Sequence, residues 1–176
     1  MLARVLCSTL FGIKAIPIVV EVDIFGGLPG FATVGLPENT VKEARVRVQA
    51  AISNSGLHFP TGKITVNLAP ANLRKEGTGF DLPIALGLVS SSGLIPKNSL
   101  DGVFALGELS LSGEIKPVHG ILAAAESAKA QNVSCMFVAK ENGEEAALIE
   151  GLQVRTPKTF LDLMDFLQSK NEEKAP

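Results

Sequence analysis

The 176-residue chain has no tryptophan and no tyrosine, and it has only two cysteines and two histidines. Without Trp and Tyr, surfaces that stack nucleic-acid bases are weakly supported. Cys7 and Cys135 lie far apart on apolar segments, which favours buried free thiols in a reducing, cytoplasmic setting. His58 and His119 have no cysteine or carboxylate at ligand spacing, so the sequence predicts no metal site.

The chain also lacks long apolar runs and a dominant charge. No run reaches the roughly 18 residues that cross a bilayer, so we expect no membrane partner. The opening "MLARVLCSTLFGIKAIPIVVEV" is broken by Lys14 and Pro17, and it is predicted as two strands and not as a signal peptide. A net charge of −2 argues against a dominant nucleic-acid surface but permits a local basic patch.

What is present is a globular α+β pattern. Strands in "RVLCSTLFG", "AIPIVVEVDIFGG" and "FATVGL" precede a helix over 38–55. Thr40 and Glu43 fit a capping box at its start. Lys42, Arg45 and Gln49 fall on its polar face, which usually means solvation and less often a polyanion-binding stripe.

The second half continues the alternation. The strand "KITVNLAP" leads to a helix over 80–92, with Asp81 as a capping and dipole residue. "GVFALGELSLSGEIKPV" predicts a hairpin turning at Ser112-Gly113, with Glu108 and Glu114 on the solvated surface. A strand–helix–strand–helix run then predicts a small α/β layer. We expect a domain over 1–168 and a polar linker over 169–176.

No sequence motif of this chain indicates nucleotide binding. The nearest match to a P-loop, "GLHFPTGKI", has one residue too many between its glycines, and Ile64 replaces the Mg²⁺-binding hydroxyl. It also follows a helix and precedes a strand, the reverse of the required order. We therefore expect no cofactor in this chain. No G-x-S-x-G elbow occurs, and from residue types alone a Ser-Lys dyad stays possible.

Two motifs resemble the proteolytic domain of the Lon family. "GELSLSGEIKPVHG", from Gly107 to Gly120, matches the hairpin that precedes Lon's lysine-bearing helix. Where Lon has D-G-P-S-A-G this chain has "EGTGFD", and the serine position is Gly79. Where Lon has G-G-L-K this chain has "HGIL", and the lysine position is Leu122. The resemblance implies a Lon-type scaffold without its catalytic pair, because neither side chain can do the chemistry.

The amino-acid sequence is more similar still to the YifB/ComM family of Mg-chelatase-like AAA+ ATPases. "GLPGFATVGLPENTVKEARVRVQAAISNSG" and "ITVNLAPANLRKEGTGFDLPIALGLVSSSG" carry this resemblance, which runs from about Met1 to Gln168. It implies a fold of the ribosomal protein S5 domain 2 type, followed by an ATPase domain that binds ATP and Mg²⁺. It also implies a hexameric DNA helicase for branch migration in natural transformation, in which this domain aids ring assembly.

One loop is a candidate contact site. Arg74, Lys75, Gly77, Thr78 and Gly79 precede a helix N-terminus, where free N–H groups, the helix dipole and two cations favour an anion. The loop is expected to meet DNA phosphate or a neighbouring subunit. The alternative is that Glu76 pairs with a nearby cation and the glycines only turn the chain.

Three other functions stay open at the level of sequence. One is an active Ser-Lys peptidase, which the residues at the two aligned positions oppose. Another is an ATPase subunit that inserts Mg²⁺ into a porphyrin. The last is a protein-interaction module without DNA contact.

Overall fold

The computed structural model describes the backbone of residues 1–172 and the side chains of residues 1–170. Its centre is a mixed seven-stranded sheet, and helices cover the apolar side chains of that sheet. The expected α+β class is confirmed. In spatial order, the strands of the sheet are β3 (Gly30–Val34), β4 (Lys63–Ala69), β2 (Lys14–Phe25), β1 (Ala3–Phe11), β5 (Val103–Ala105), β8 (Cys135–Phe137) and β9 (Val154–Arg155).

The first two strands form the long antiparallel hairpin that the β-branched runs predicted. Val5 pairs with Val20 and Cys7 with Ile18, and all four side chains are buried. Gly12 turns the hairpin with a φ of 62°, a conformation that glycine adopts without a steric penalty. The inward positions of both strands alternate with more exposed ones, as expected for a sheet with one face on the core.

Helix α2 (Asp81–Ser91) is enclosed by protein over its whole length, since all of its residues are buried. This explains its apolar composition, which is typical of a core helix. Gly87 brings the helix close to the sheet, because a Cβ there would lie 2.5 Å from Cγ2 of Val22. This close contact positions the helix on the sheet, and residues 76–80 lead into the start of the helix.

The helical spacing of Val41, Ala44, Val48, Ala51 and Ile52 predicts one buried face for α1 (Glu38–Asn54), and four of these residues are buried, whereas Val41 is half-buried. Its polar face is exposed as expected. The capping box was wrong. Pro37 occupies the N-cap and no side chain caps the helix. Because the helix begins earlier than the motif implied, Thr40 lies inside the first turn.

The predicted hairpin over 102–118 divides between two sheets. Its first part is β5, which pairs in parallel with β1 and β8 in the large sheet. Only β6 (Glu108–Leu109) and β7 (Ile115–Lys116) form the two-stranded hairpin. The predicted turn is confirmed, because Gly113 has a φ of 90° and donates its N–H to the Ser110 carbonyl at 3.0 Å.

The C-terminal layer contains α3 (Ile121–Ala130), a 3₁₀ turn (Lys140–Asn142), α4 (Gly143–Ala146) and α5 (Phe160–Glu172). Helix α5 extends into the segment expected to be a linker, so 169–172 are helical. Residues 173–176 lie outside the described part of the chain. Within residues 1–172, no helix combines the length and apolarity needed to traverse a bilayer.

Candidate functional site

A cavity of about 410 Å³ lies where the loop before α2, the end of β1 and the segment before α3 meet. Residues 76–80 form one wall, residues 8–10 another, and residues 117–120 a third. Asn142 fixes the third wall, because its side-chain amide exchanges hydrogen bonds of 3.0 Å with both backbone groups of Val118. The sheet and two helix starts thus hold the walls of the cavity.

Gly79 lies in the cavity wall, and Leu106 packs closely over it. Its carbonyl accepts the Gly107 N–H at 2.9 Å, which fixes its backbone against the strand region. A Cβ at position 79 would lie 2.9 Å from Cδ1 of Leu106 and 3.5 Å from Cγ1 of Val118. A serine here would require the Cδ1 methyl at the end of the Leu106 side chain to shift, and glycine itself supplies no nucleophile.

Leu122 is in a different environment. It lies in the first turn of α3, is 39% exposed, and donates its N–H to Oε1 of Glu145 at 3.1 Å. It is absent from the residues that line the cavity. Leu122 therefore supplies no amine to the cavity that Gly79 lines.

Lys75 was expected to be one of two cations that favour an anion before α2, but its side chain is buried. It is only 2% exposed, and its Nζ donates to the carbonyls of Pro70 at 2.6 Å and Leu73 at 3.0 Å. Burial lowers the pKa of this amine, while the nearby Cys7 has the smaller opposite effect. Lys75 consequently braces the loop from inside and presents no cation to a phosphate.

A buried lysine is one half of a Ser-Lys dyad, so its partners decide whether a dyad exists. Both hydrogen-bond acceptors of Lys75 are backbone carbonyls, and no seryl oxygen is among its partners in the described chain. The thiol of Cys7 interacts electrostatically with Lys75, and burial raises the pKa of that thiol strongly. A neutral thiol is a poor nucleophile.

Arg74 is the exposed cation of the loop. Its Nη2 lies 2.6 Å from Oε1 of Glu76, and both side chains are largely in solvent. This is the pairing of Glu76 that the alternative interpretation of the loop anticipated. Gly77 has a φ of 88° and is also exposed. The loop therefore has a turning glycine and one cation, which is already engaged.

Asp81 is more than a helix-start residue. It is 1% exposed, and its carboxylate accepts Nε of Arg47 at 2.6 Å, Nη2 of Arg47 at 3.1 Å and the Leu109 N–H at 3.1 Å. Burial raises the pKa of Asp81 to about 6, although Arg47 and the Leu109 N–H oppose the rise. The pair joins α1, α2 and β6, and no local pattern indicated it.

Glu108 was expected on the solvated surface, but it is half-buried and lines the cavity. Its Oε2 accepts a short hydrogen bond from the Thr78 hydroxyl. Glu114 was also expected on the solvated surface; it is half-buried, with its side chain 40% exposed, and it pairs with Lys116 at 2.6 Å, which lowers the pKa of its carboxyl. Among residues 1–170, no group of three or more His, Cys, Asp or Glu side chains could hold a metal ion.

Comparison with known proteins places this geometry in a family. A family model described as subunit ChlI of Mg-chelatase matches residues 20–142. YifB of Escherichia coli strain K12 is 45% identical over 94% of this chain and 32% of its own length. The competence protein ComM of Haemophilus influenzae is 40% identical over 99% of this chain and 34% of its own length.

A weaker similarity concerns Lon protease 2 of Bacillus subtilis, which is 29% identical over 54% of this chain and 17% of its own length. The chain spans about a third of the length of YifB and ComM. Because the family model covers well over half of its residues, the chain belongs to the family of Mg-chelatase subunit ChlI, with YifB and ComM as relatives.

Proposed function

We propose that this chain is a catalytically silent, Lon-like accessory domain of a AAA+ DNA helicase. The observation that carries the proposal is the glycine at position 79, which gives the cavity wall no nucleophile and where a Cβ would lie 2.9 Å from Cδ1 of Leu106. Leu122 supports it, because a residue in that place lies outside the cavity wall. The fold is proposed to be of the ribosomal protein S5 domain 2 type, in line with the partial similarity to Lon protease 2.

The activity of the whole protein is proposed from its relatives. ComM of Haemophilus influenzae is a competence protein, and this chain matches about a third of its length. We place ATP and Mg²⁺ binding in the remaining part of such a protein, which would form a hexamer in the cytoplasm and drive branch migration of DNA. This domain then supports ring assembly and guides DNA.

The loop before α2 is the proposed contact of this domain with its surroundings. Arg74, Gly77, Thr78 and Gly79 remain the contact candidates, whereas buried Lys75 acts from within. The carboxylates of Glu76 and Glu108 lie beside them, and they repel phosphate. The local charge therefore favours a neighbouring subunit over DNA as the partner of this loop.

The test compares the full-length protein with a form that lacks residues 1–168. Branch migration of a four-way DNA junction with ATP, together with ring size by sedimentation, should be impaired by the deletion. Unchanged rings and unchanged branch migration without the domain would refute the accessory role.

A separate assay tests whether the loop before α2 binds DNA. If Arg74 contacts phosphate, Arg74→Ala lowers DNA affinity and flattens its salt dependence by about one unit of slope. Lys97→Ala, at another exposed position, is the matched control. Equal affinity and equal slope for both variants would remove DNA as the partner of the loop.

A second function is favoured by the description of the matching family, which is that of a magnesium chelatase subunit. In that case the full-length protein would support ATP-dependent insertion of Mg²⁺ into protoporphyrin when mixed with partner subunits. Branch migration without metal insertion supports the helicase proposal, and metal insertion without branch migration supports the chelatase.

A further inference from the structure

The cavity beside Gly79 has an unusual charge balance. Two carboxylates, from Glu76 and Glu108, line it, and no lysine or arginine does. Glu76 is already paired with Arg74 outside the cavity. Glu108 forms no salt bridge within the described residues, since Arg47 gives its hydrogen bonds to Asp81. The cavity therefore has one carboxylate, that of Glu108, which interacts with Arg47 electrostatically but forms no ion pair with it among the described residues.

Two buried hydroxyls reinforce this picture. Ser8 and Thr9 are 4% and 5% exposed, and both line the cavity. Within residues 1–170, neither side chain makes a hydrogen bond. Neither oxygen is fully enclosed and unpaired, so both are accessible to water or to a ligand that supplies a hydrogen-bond donor. Since ion-pairing capacity and hydrogen-bond capacity are both unused here, the cavity is suited to a donor-rich cation.

The remaining walls are apolar. Phe80, Leu106 and Ala124 are buried beneath the cavity, and Val118 covers its side. A volume of about 410 Å³ falls within the range of about 300–1,000 Å³ that is typical of ligand pockets. Long cationic side chains pack their methylene stems on apolar surface and present a charged end to polar groups.

From these features we propose that the cavity is a binding site for one arginine side chain of a protein partner. The guanidinium would pair with Glu108 and donate to a hydroxyl of β1, while its stem lies on Leu106 and Val118. Arginine fits better than lysine because its five donors are fixed in a fork that matches a carboxylate and nearby acceptors. The inference takes from the proposed function only that the bound peptide is not cleaved.

The test uses the ¹⁵N-labelled chain and the peptide acetyl-Ala-Arg-Ala-amide. We expect saturable chemical-shift changes at the backbone amides of Gly77 and His119, with an affinity in the millimolar range. The citrulline peptide, which has the same shape without the charge, should bind about tenfold more weakly or worse, because a hydrogen bond to a charged group is lost.

Two variants distinguish binding of the arginine in the cavity from a general effect of negative charge on the peptide. Glu108→Gln keeps an acceptor for Thr78 and should lose at least about tenfold in affinity for the arginine peptide. Glu114→Gln removes a carboxylate from the same hairpin outside the cavity and should bind like the parent chain. Melting curves establish that both variants are folded. Equal binding of the arginine and citrulline peptides, or an equal effect of both variants, would overturn the proposal.

Two further measurements identify the protein that carries the arginine and test the arginine site separately from the proposed function. In the full-length protein, loss of self-association on Glu108→Gln places the arginine on a second copy. Intact self-association with intact peptide binding by the parent places it on another protein. Mass spectrometry of the incubated peptide should show no cleavage. Cleavage would refute the silent domain and leave arginine binding standing, whereas an intact but unbound peptide would refute only the arginine site.

Discussion

Replacing Arg47 with methionine tests the buried ion pair that joins α1 to α2. Arg47→Met keeps the aliphatic stem and removes the guanidinium, leaving Asp81 with the Leu109 N–H as its remaining hydrogen-bond donor among the described residues. Breaking a buried pair costs about 3–5 kcal/mol. Because Arg47 is partly exposed, we expect the lower end, about 3 kcal/mol at pH 8. In a chain of this size that lowers the Tm by about 6–12 °C.

The pH dependence sharpens this prediction. In the parent chain the pKa of Asp81 is about 6 in the folded state against an ordinary 3.8, so this carboxyl favours folding at low pH. Its contribution, about 3 kcal/mol, is lost as the pH rises from about 4 to about 6. Without Arg47 the folded pKa rises further, because the guanidinium had lowered it. The cost of Arg47→Met should therefore be smaller at pH 5 than at pH 8.

Urea unfolding at pH 5 and pH 8 measures the loss of stability caused by Arg47→Met and the change of that loss with pH. Arg45→Met is the matched control, since Arg45 lies on the same helix but is exposed, with its Cζ 5.4 Å from the centre of the Phe31 ring. Arg45→Met should lower the free energy of unfolding by less than about 1 kcal/mol at both pH values. A loss for Arg47→Met equal to that of the control, or one that does not change with pH, would refute the reasoning.

Three further substitutions have defined outcomes. Asp81→Asn should abolish the loss of stability that the parent shows between about pH 4 and pH 6, as measured by urea unfolding across that window. Gly79→Ser should cost about 1–3 kcal/mol by overpacking, and less in a Leu106→Ala background, where the space is open. Lys75→Met should cost about 1–3 kcal/mol, because two loop carbonyls lose their donor. The folded pKa of Lys75 is lowered, so the parent gains stability as the pH rises towards 10.5, and this gain should vanish in the variant.

The helices and strands were largely predictable because their apolar residues recur with the right period. Helix α1 buries most of the face that its pattern indicated, and the helix predicted over 80–92 is α2, Asp81–Ser91. The capping box failed because Pro37 starts the helix earlier than the Thr40 motif allowed. The β5 segment was assigned to a hairpin because sequence gives no information on which distant strand it pairs with.

The site was predictable only in outline. The resemblance to Lon pointed to Gly79 and Leu122, but the packing of Leu106 over Gly79 is a tertiary contact without a local signal. Lys75 stands between two exposed charged residues in sequence, and nothing local distinguishes it as buried. Arg47 and Asp81 lie 34 residues apart, so their pairing depends on how α1 meets α2.

The most direct measurement of catalytic silence is covalent labelling with a fluorophosphonate probe, which reacts with activated serine and threonine hydroxyls. An active Lon protease serves as the positive control, and intact-mass spectrometry detects the adduct. We predict that the chain stays unmodified, alone and within the full-length protein, while the control is labelled. A stoichiometric adduct on a hydroxyl of the cavity, at Ser8, Thr9 or Thr78, would contradict the proposal of a silent domain.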